Sequence, residues 1–263
     1  MATKFIACLV NNSVMKYKDS HHAASYGSHT TCWKDQLQSL RYSPLQESLE
    51  SSIVIVGGGI AGLSVAYCLV KAGHEVVVLE DGDIGGGETG HTTAHLVNAI
   101  DDRYFEIEKL FGLKTSRLVA ESHTAAINFI EDAVQMENID CDFMRLNGHL
   151  FLHDSDKIKT LEDEFMASHR AGIDTTMIRD VPGLASQRGP CLRFPGQAQI
   201  HPLKYIQGLC RAIIENHGRI FTQTHVSKIS SDGVIANGFE VKADHIVVAT
   251  NSPINDIVTM HTK

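Results

Sequence analysis

The sequence predicts an α/β fold built on a parallel sheet, and three observations predict it. Ile53–Val56 is apolar without alternation, as expected of a strand buried on both faces. It runs into Gly57-Gly58-Gly59, and from Ile60 to Ala72 the pattern reads as a helix that Gly73 ends. His74–Leu79 is then a second β-branched run, tipped by Glu80. Strand, glycine turn, helix and strand in this order form a βαβ unit.

Residues 51–70 hold no charged side chain and contain a Gly-x-x-x-Gly spacing, so hydropathy by itself would mark a membrane span. Three consecutive glycines inside the stretch, and a second strand straight after it, point away from that reading. No transmembrane span is expected. Within the βαβ unit each glycine has a task. Gly57 permits the tight turn, Gly59 lets the backbone approach a diphosphate, and Gly62 allows the helix to pack closely on the strand. Ile60 and Ala61 then open the helix, whose N-terminal amides face the phosphate. Glu80, and Asp81 beside it, stand where an acid accepts hydrogen bonds from an adenosine ribose. The whole arrangement is that of a Rossmann-like dinucleotide site, and an acid at position 80 disfavours a ribose phosphate.

Composition bounds the alternatives. The chain has 263 residues, of which 43% are hydrophobic and 21% charged, enough to bury a substantial core. Its net charge of −8 argues against a nucleic-acid partner. Six cysteines are scattered with no CxxC, so reduced thiols in a cytoplasmic protein are expected rather than a disulfide framework.

The remaining elements follow in order. Residues 1–50 are Ser/His-rich and weakly patterned, and read as a partly disordered N-terminal extension. Residues 101–137 are helical, divided in two at Gly112, with Phe105, Leu110, Leu118, Ala125, Ile127, Phe129 and Ile130 as buried positions. Asn147-Gly148 reads as the turn of a hairpin between strands at 142–146 and 149–151. Residues 156–171 read as a helix with a solvated charged face, and 182–195 as a loop. His201–Glu215 is a helix entered through Pro202. From Arg219 the pattern turns to short strands, the last of which, within 244–251, returns buried to the dinucleotide sheet.

One stretch stays ambiguous on its own: GGGETGHTTAHL, residues 85–96. His91 and His95 are spaced like a zinc helix, yet Glu88 precedes them and no third ligand is evident, so no metal site is expected. Together with residues 53–84, however, the stretch resembles the N-terminal signature of the D-amino-acid-oxidase-like flavoproteins, which include glycine and sarcosine oxidases. The segments at 101–112, 121–131, 192–209 and 249–263 resemble the subgroup that carries a C-terminal Rieske iron–sulfur domain.

That resemblance implies FAD as the cofactor, held by a second loop of small residues. Gly85, Gly86, Gly87, Thr89 and Gly90 match it, and His91, Thr92 and Thr93 follow as flavin neighbours. Some relatives attach flavin to a histidine, and the aligned position here is Thr92, so non-covalent binding is implied. Val226, Ala249 and Thr250 are carried over as further cofactor contacts. The implied fold is a Rossmann-like FAD-binding domain (51–100 with 190–255) and an incomplete α+β substrate domain (101–189), with 256–263 as a truncated end. The implied reaction is oxidation of an amine or amino-acid-like CH–NH bond in a small-molecule substrate. The alternative is a truncated, inactive flavin- or nucleotide-binding module. A [2Fe-2S] cluster is expected only if a further C-terminal domain exists, and an iron–sulfur electron acceptor or a second chain would then be the partner. No catalytic residue can be assigned; Arg103, Arg145 and Arg193 are candidate carboxylate anchors, but each reads more readily as a structural or surface arginine.

Overall fold

The computed structural model describes residues 31–34, 40–152, 157–183, 188–251 and 254. The expectations for residues 1–30 and for the end at 256–263 lie outside them. The described residues form two compact units, one within 31–93, 133–141 and 201–254, the other within 94–132 and 142–200.

The first unit is organised by a six-stranded sheet. Its strands are β1 (Leu49–Val56), β2 (Val76–Leu79), β7 (Arg219–Phe221), β8 (Val226–Ser230), β9 (Gly233–Ala236) and β10 (Phe239–Val248), in the order β7-β2-β1-β10-β9-β8. Pairing is parallel from β7 through β10 and antiparallel from β10 to β8. Helix α1 (Ile60–Lys71) links β1 to β2, confirming the βαβ reading of the uncharged stretch. No helix among the described residues is long and apolar enough to cross a membrane. Val76, Val77, Val78 and Leu79 are completely buried, each worth about 1.5–3 kcal/mol of burial. Helix α4 (Pro202–Glu215) has Pro202 in its first turn, and the His201 ring accepts the Lys204 N–H at 3.3 Å. It meets Ile139 so closely that a Cβ on Gly208 would lie 2.5 Å from that side chain.

Two expectations are corrected in this unit. Residues 40–50 are not a loose extension: Leu45 is buried in the core, and β1 begins at Leu49. Backbone groups of Tyr42 and Leu45 are hydrogen-bonded by the buried hydroxyls of Thr222 and Thr224. Of the short strands expected from Arg219, the last two, at 240–243 and within 244–251, are one strand, β10, and it is only partly buried. Val241 and Ala243 face the core, whereas Val248 is 51% exposed.

The second unit is built on a four-stranded sheet of β3 (His95–Leu96), β4 (Met144–Phe151), β5 (Thr176–Asp180) and β6 (Arg188–Gln199). All three partners pair antiparallel with β6. Leu150, Leu192, Phe194 and Met177 pack against Tyr104, Ala120, Leu161, Ala167 and Ala171 from α2 (Tyr104–Met136) and α3 (Ile158–Ala171). Gly112, at φ +81° and ψ 164°, breaks α2 in two as expected.

Here more readings fail. The predicted hairpin is one strand: both halves of β4 pair with β6, and the register shifts between Leu146 and Gly148. A two-residue hairpin turn of the I′ type needs positive φ at both central residues, and neither Asn147 nor Gly148 has it. The site is a bulge. The stretch 182–195 is not all loop, because β6 starts at Arg188, and residues up to 200 pack in this unit rather than with the six-stranded sheet. Of the helix positions expected inside, Ile127 is buried and Phe105, Phe129 and Ile130 are half-buried. Leu110, Leu118 and Ala125 are exposed, while Tyr104 and Ala120 take the core. In α3 the charged pattern is not purely a solvated face: Glu164 is 1% exposed.

Candidate functional site

At the C-terminal ends of β1 and β2, and just beyond the end of β10, the first unit opens into a cleft of about 800 Å³. β1 has β2 on one side and β10 on the other, so the chain leaves it at a switch point in strand order, where ligands of open α/β sheets bind. Gly57 makes the turn. Its φ is +114°, and a Cβ there would sit 2.6 Å from the Ala249 carbonyl oxygen, so no other residue fits. Its N–H donates to Leu79 O and the Ala249 N–H donates to Val56 O, each at 2.8 Å, which pins the turn to both neighbouring strands. A Cβ on Gly62 would fall 2.0 Å from Gly57 O. The helix can therefore approach the turn only with glycine at that position.

Helix α1 begins without a side-chain cap from Gly59 and without an acid in its first turn. That leaves the positive end of the helix dipole directed at the cleft, which Gly59, Ile60 and Ala61 line. The Ile60 N–H is taken by Thr89 Oγ1 at 3.0 Å. A hydroxyl that accepts there still has its own proton to donate, and Thr89 also lines the cleft.

Glu80 holds the two ends of the loop system. Its carboxylate accepts the Gly58 N–H at 2.5 Å and the Gly82 N–H at 2.9 Å, with lone pairs left for a further donor. Asp81 pairs with His225 Nδ1 at 3.1 Å. Glu80, Asp81 and Glu88 line the cleft, and no lysine or arginine does so among the described residues. A diphosphate placed here would be held by main-chain amides and a helix dipole rather than by side-chain cations. A ribose phosphate would meet carboxylates.

Of the residues singled out from sequence, Gly57, Gly59, Ile60, Ala61, Glu80, Asp81, Gly87, Thr89, Val226, Ala249 and Thr250 line this cleft together. Gly62, Gly90, His91, Thr92 and Thr93 are not part of its lining. Gly62 acts through packing, and so does Gly90, whose Cβ would lie 2.5 Å from Gly85 O. His91 is exposed and its Nδ1 lies 2.9 Å from Gly87 O; the Thr92 carbonyl accepts from Trp33 Nε1 at 2.8 Å. Residues 88–91 form a single 3₁₀ turn and 95–96 a strand, so the two histidines never share a helical face. Among the described residues no three His, Cys, Asp or Glu side chains converge as a metal site.

Thr224, His225, Asn251 and Ile254 line the cleft without having been singled out. The sequence offered one signal, the adjacency of Thr224 and His225 to Val226. It offered none for the scaffold behind them, in which Arg41 and Gln223 both bind Asp83, at 2.7 and 2.8 Å. Partners 140 residues apart leave no local pattern. Cys32, Cys68, Cys141, Cys191 and Cys210 form no disulfide, and burial pushes Cys210 up to about 12, which makes it a packing group rather than a nucleophile.

The three candidate anchors all lie in the second unit, and the structure separates them. Arg145 is consumed: it binds Glu131 at 2.6 Å, Asn128 Oδ1 at 2.7 Å and the Gly196 carbonyl at 2.6 Å. Arg103 is buried and donates to Ile100 O at 3.1 Å. Arg193 gives one hydrogen bond, to Thr176 Oγ1 at 3.2 Å, and its buried Nε has no partner.

Comparison with known proteins points to one family. The sequence profile of the FAD dependent oxidoreductase family, DAO, matches residues 52–261. A putative Rieske 2Fe-2S iron–sulfur protein of Bacillus subtilis is 32% identical over 231 residues, covering 86% of this chain and 45% of that protein. The gamma-glutamylputrescine oxidoreductase of Escherichia coli is 33% identical over 232 residues, covering 83% of this chain and 54% of that protein. The chain thus spans about half the length of these relatives. Among solved structures, L-proline dehydrogenase from P. horikoshii superposes with a TM-score of 0.63 at 22% identity, over 79% of this chain and 54% of that one. Glycine oxidase from Geobacillus kaustophilus gives 0.62 at 18% identity, over 76% and 55%.

Proposed function

The chain belongs to the FAD-dependent oxidoreductase (DAO) family, and from that premise we propose that its glycine-lined cleft binds FAD in an enzyme that oxidises an amine or amino-acid-like CH–NH substrate. The observation that carries the cofactor reading is the main-chain cradle. Gly57 and Gly62 leave no room for a Cβ, and a helix start with no side-chain cap from Gly59 opens on a cleft that no lysine or arginine lines among the described residues. The Ala61 amide, with the Thr89 hydroxyl that itself accepts from the Ile60 N–H, would hold the diphosphate. Glu80 would accept from the adenosine ribose, and Val226, Thr224 and His225 would border the adenine. Ala249 and Thr250 would close the cleft on the side of β10. Bound there, FAD supplies the hydride acceptor for the oxidation of the substrate.

Around that chemistry the chain's own residues bind and orient. The unit on the four-stranded sheet is read as the beginning of the substrate-binding part. Similarity to a relative named as a Rieske iron–sulfur protein favours an iron–sulfur centre as electron acceptor, and similarity to gamma-glutamylputrescine oxidoreductase favours an amine substrate. The purified chain should be yellow and release FAD on denaturation. A preparation that stays colourless when refolded or incubated with excess FAD overturns the cofactor reading. Bleaching of the bound flavin by candidate amines under anaerobic conditions supports the oxidoreductase reading. Stable yellow protein that no amine bleaches supports instead a flavin-binding module without turnover.

A further inference from the structure

We infer that Trp33, the single tryptophan of the chain, is a positioning residue for the cofactor cleft: it clamps the glycine-rich loop 85–92 onto helix α4 and so holds Thr89 in place. The inference rests on the cofactor reading above and adds to it the side chain that keeps the second loop closed.

The loop needs such a fastening. Four of its eight residues are glycine, and fixing a glycine costs more conformational entropy than fixing any other residue. Its regular structure is a single 3₁₀ turn, Glu88–His91, entered at Gly87 without a side-chain cap. Yet Thr89, inside that turn, has a fixed task, because its Oγ1 accepts the Ile60 N–H at 3.0 Å and it lines the cleft.

Both ends of the loop are fastened to α4. At its start Gly85 lies so close to the helix that a Cβ there would fall 2.4 Å from Ile206 Cδ1 and 2.8 Å from Leu203 Cδ2. At its end Trp33 Nε1 donates to the Thr92 carbonyl at 2.8 Å. The same indole meets the His201 ring edge-on, with 5.2 Å between centroids, within the usual range for such pairs. His201 is the N-cap of α4 and accepts the Lys204 N–H. One side chain therefore ties the far end of the loop to the start of the helix that supports its near end. The turn that carries Trp33 touches the loop at a second point, since Lys34 Cε lies 3.5 Å from where a Cβ on Gly90 would stand. Further along, the Leu40 carbonyl accepts the Ile84 N–H at 3.1 Å and Arg41 binds Asp83 at 2.7 Å, so the chain before β1 also grips the approach to the loop.

Trp33 is half-buried and its bond to Thr92 is open to solvent, so replacing it leaves no cavity in a core. Its effect should fall on ligand retention: a loop already held in its bound shape loses less entropy when the diphosphate arrives. All the residues involved lie in the unit of the six-stranded sheet.

A single tryptophan makes the test direct. ADP carries the diphosphate without a flavin chromophore, and AMP lacks the diphosphate. Added to the flavin-free chain, ADP should move the Trp33 emission to shorter wavelength and AMP should not. No shift with ADP, or the same shift with both, overturns the inference. In Trp33→Phe the ring beside His201 is kept and the donor is lost. That variant should release bound FAD about five- to tenfold faster, the weight of one hydrogen bond, with the urea midpoint of the flavin-free chain unchanged. Release at the parent rate overturns the inference, and so does a lowered midpoint or failure to fold, which would make Trp33 an ordinary residue of the fold. Cys32→Ser, at the exposed neighbour, should behave as the parent does; equal acceleration there would also overturn the assignment to Trp33. Yellow protein whose Trp33→Phe variant retains FAD unchanged sinks the clamp alone. A colourless parent sinks the flavin reading, and the ADP titration then decides whether Trp33 serves a diphosphate at all.

Discussion

Around the six-stranded sheet, function-bearing positions are set by the main chain; around the four-stranded sheet they are set by side chains. In the first unit the cleft exists because Gly57 and Gly62 lack a Cβ and because the N–H groups of Gly57 and Ala249 tie the turn to the adjoining strands. In the second, buried polar side chains do the joining. Gln197, wholly buried, accepts the Asn98 N–H at 2.8 Å and donates to Asn98 Oδ1 at 2.6 Å, and Tyr104 donates to the Asn98 carbonyl at 2.5 Å. Glu164 accepts the Phe105 N–H at 3.3 Å at the start of α2. A backbone cradle tolerates few residue types but is written in consecutive letters. A side-chain network can be written in many ways, and its partners here lie up to 99 residues apart.

The sharpest way to break this contrast is Gly62→Ala. With Gly57 O at 2.0 Å from the new Cβ, helix and turn must separate. The expected cost is about 3 kcal/mol or more, toward the upper end for overpacked sites, with loss of bound flavin. Urea unfolding and flavin absorbance read both, and a stable yellow variant would show that the cradle is looser than its geometry.

Gln197→Ala attacks the other unit. It strands the buried Asn98 N–H and Oδ1, and about 2–3 kcal/mol should be lost with flavin binding retained. Equal damage to flavin binding in this variant and in Gly62→Ala would erase the distinction between the units.

Glu164 supplies a pH signature confined to the side-chain-built unit. Burial, as the largest cause, raises its carboxyl from 4.5 to about 7, against the lowering effect of the Phe105 amide and the Arg103 charge. The folded state therefore favours the protonated form. This contribution to stability is fully present below about pH 4.5 and is lost as pH rises through about 7. Glu164→Gln should remove that slope and, at pH 8, stabilise the protein by on the order of 1–3 kcal/mol. Thermal melts from pH 5 to pH 8, parent against variant, check it. Parallel curves would refute it.

The smallest expected effect separates the threonines of the glycine-rich loop. Thr89→Ala removes the acceptor of the Ile60 N–H and should weaken FAD about tenfold, the worth of about 1.4 kcal/mol. Thr93→Ala, at an exposed residue outside the cleft lining, should leave affinity unchanged. Equal losses in the two would return the loop to an undifferentiated string of hydroxyls.

Legibility followed the same divide. The turn, the helix and Glu80 could be read because their geometry is local: a fixed number of residues separates the strand end from the helix start and the acid. Asn147-Gly148 misled because a bulge and a hairpin turn use the same residues, and only the partner strand distinguishes them. Residues 40–45 looked unpatterned because what orders them is a pair of threonine hydroxyls some 180 residues away.

By itself the sequence determined the βαβ unit, the glycine cradle and the acid at its tip, since these depend on short-range sterics and spacing. Tertiary structure alone decided which loop residues reach the cleft. It enlisted Thr89 and left His91, Thr92 and Thr93 outside, and it brought in Thr224 and His225 from the far end of the chain. It alone also singled out Arg193 among three look-alike arginines, because whether a guanidinium is spent depends on the neighbours that strand register and helix packing place around it.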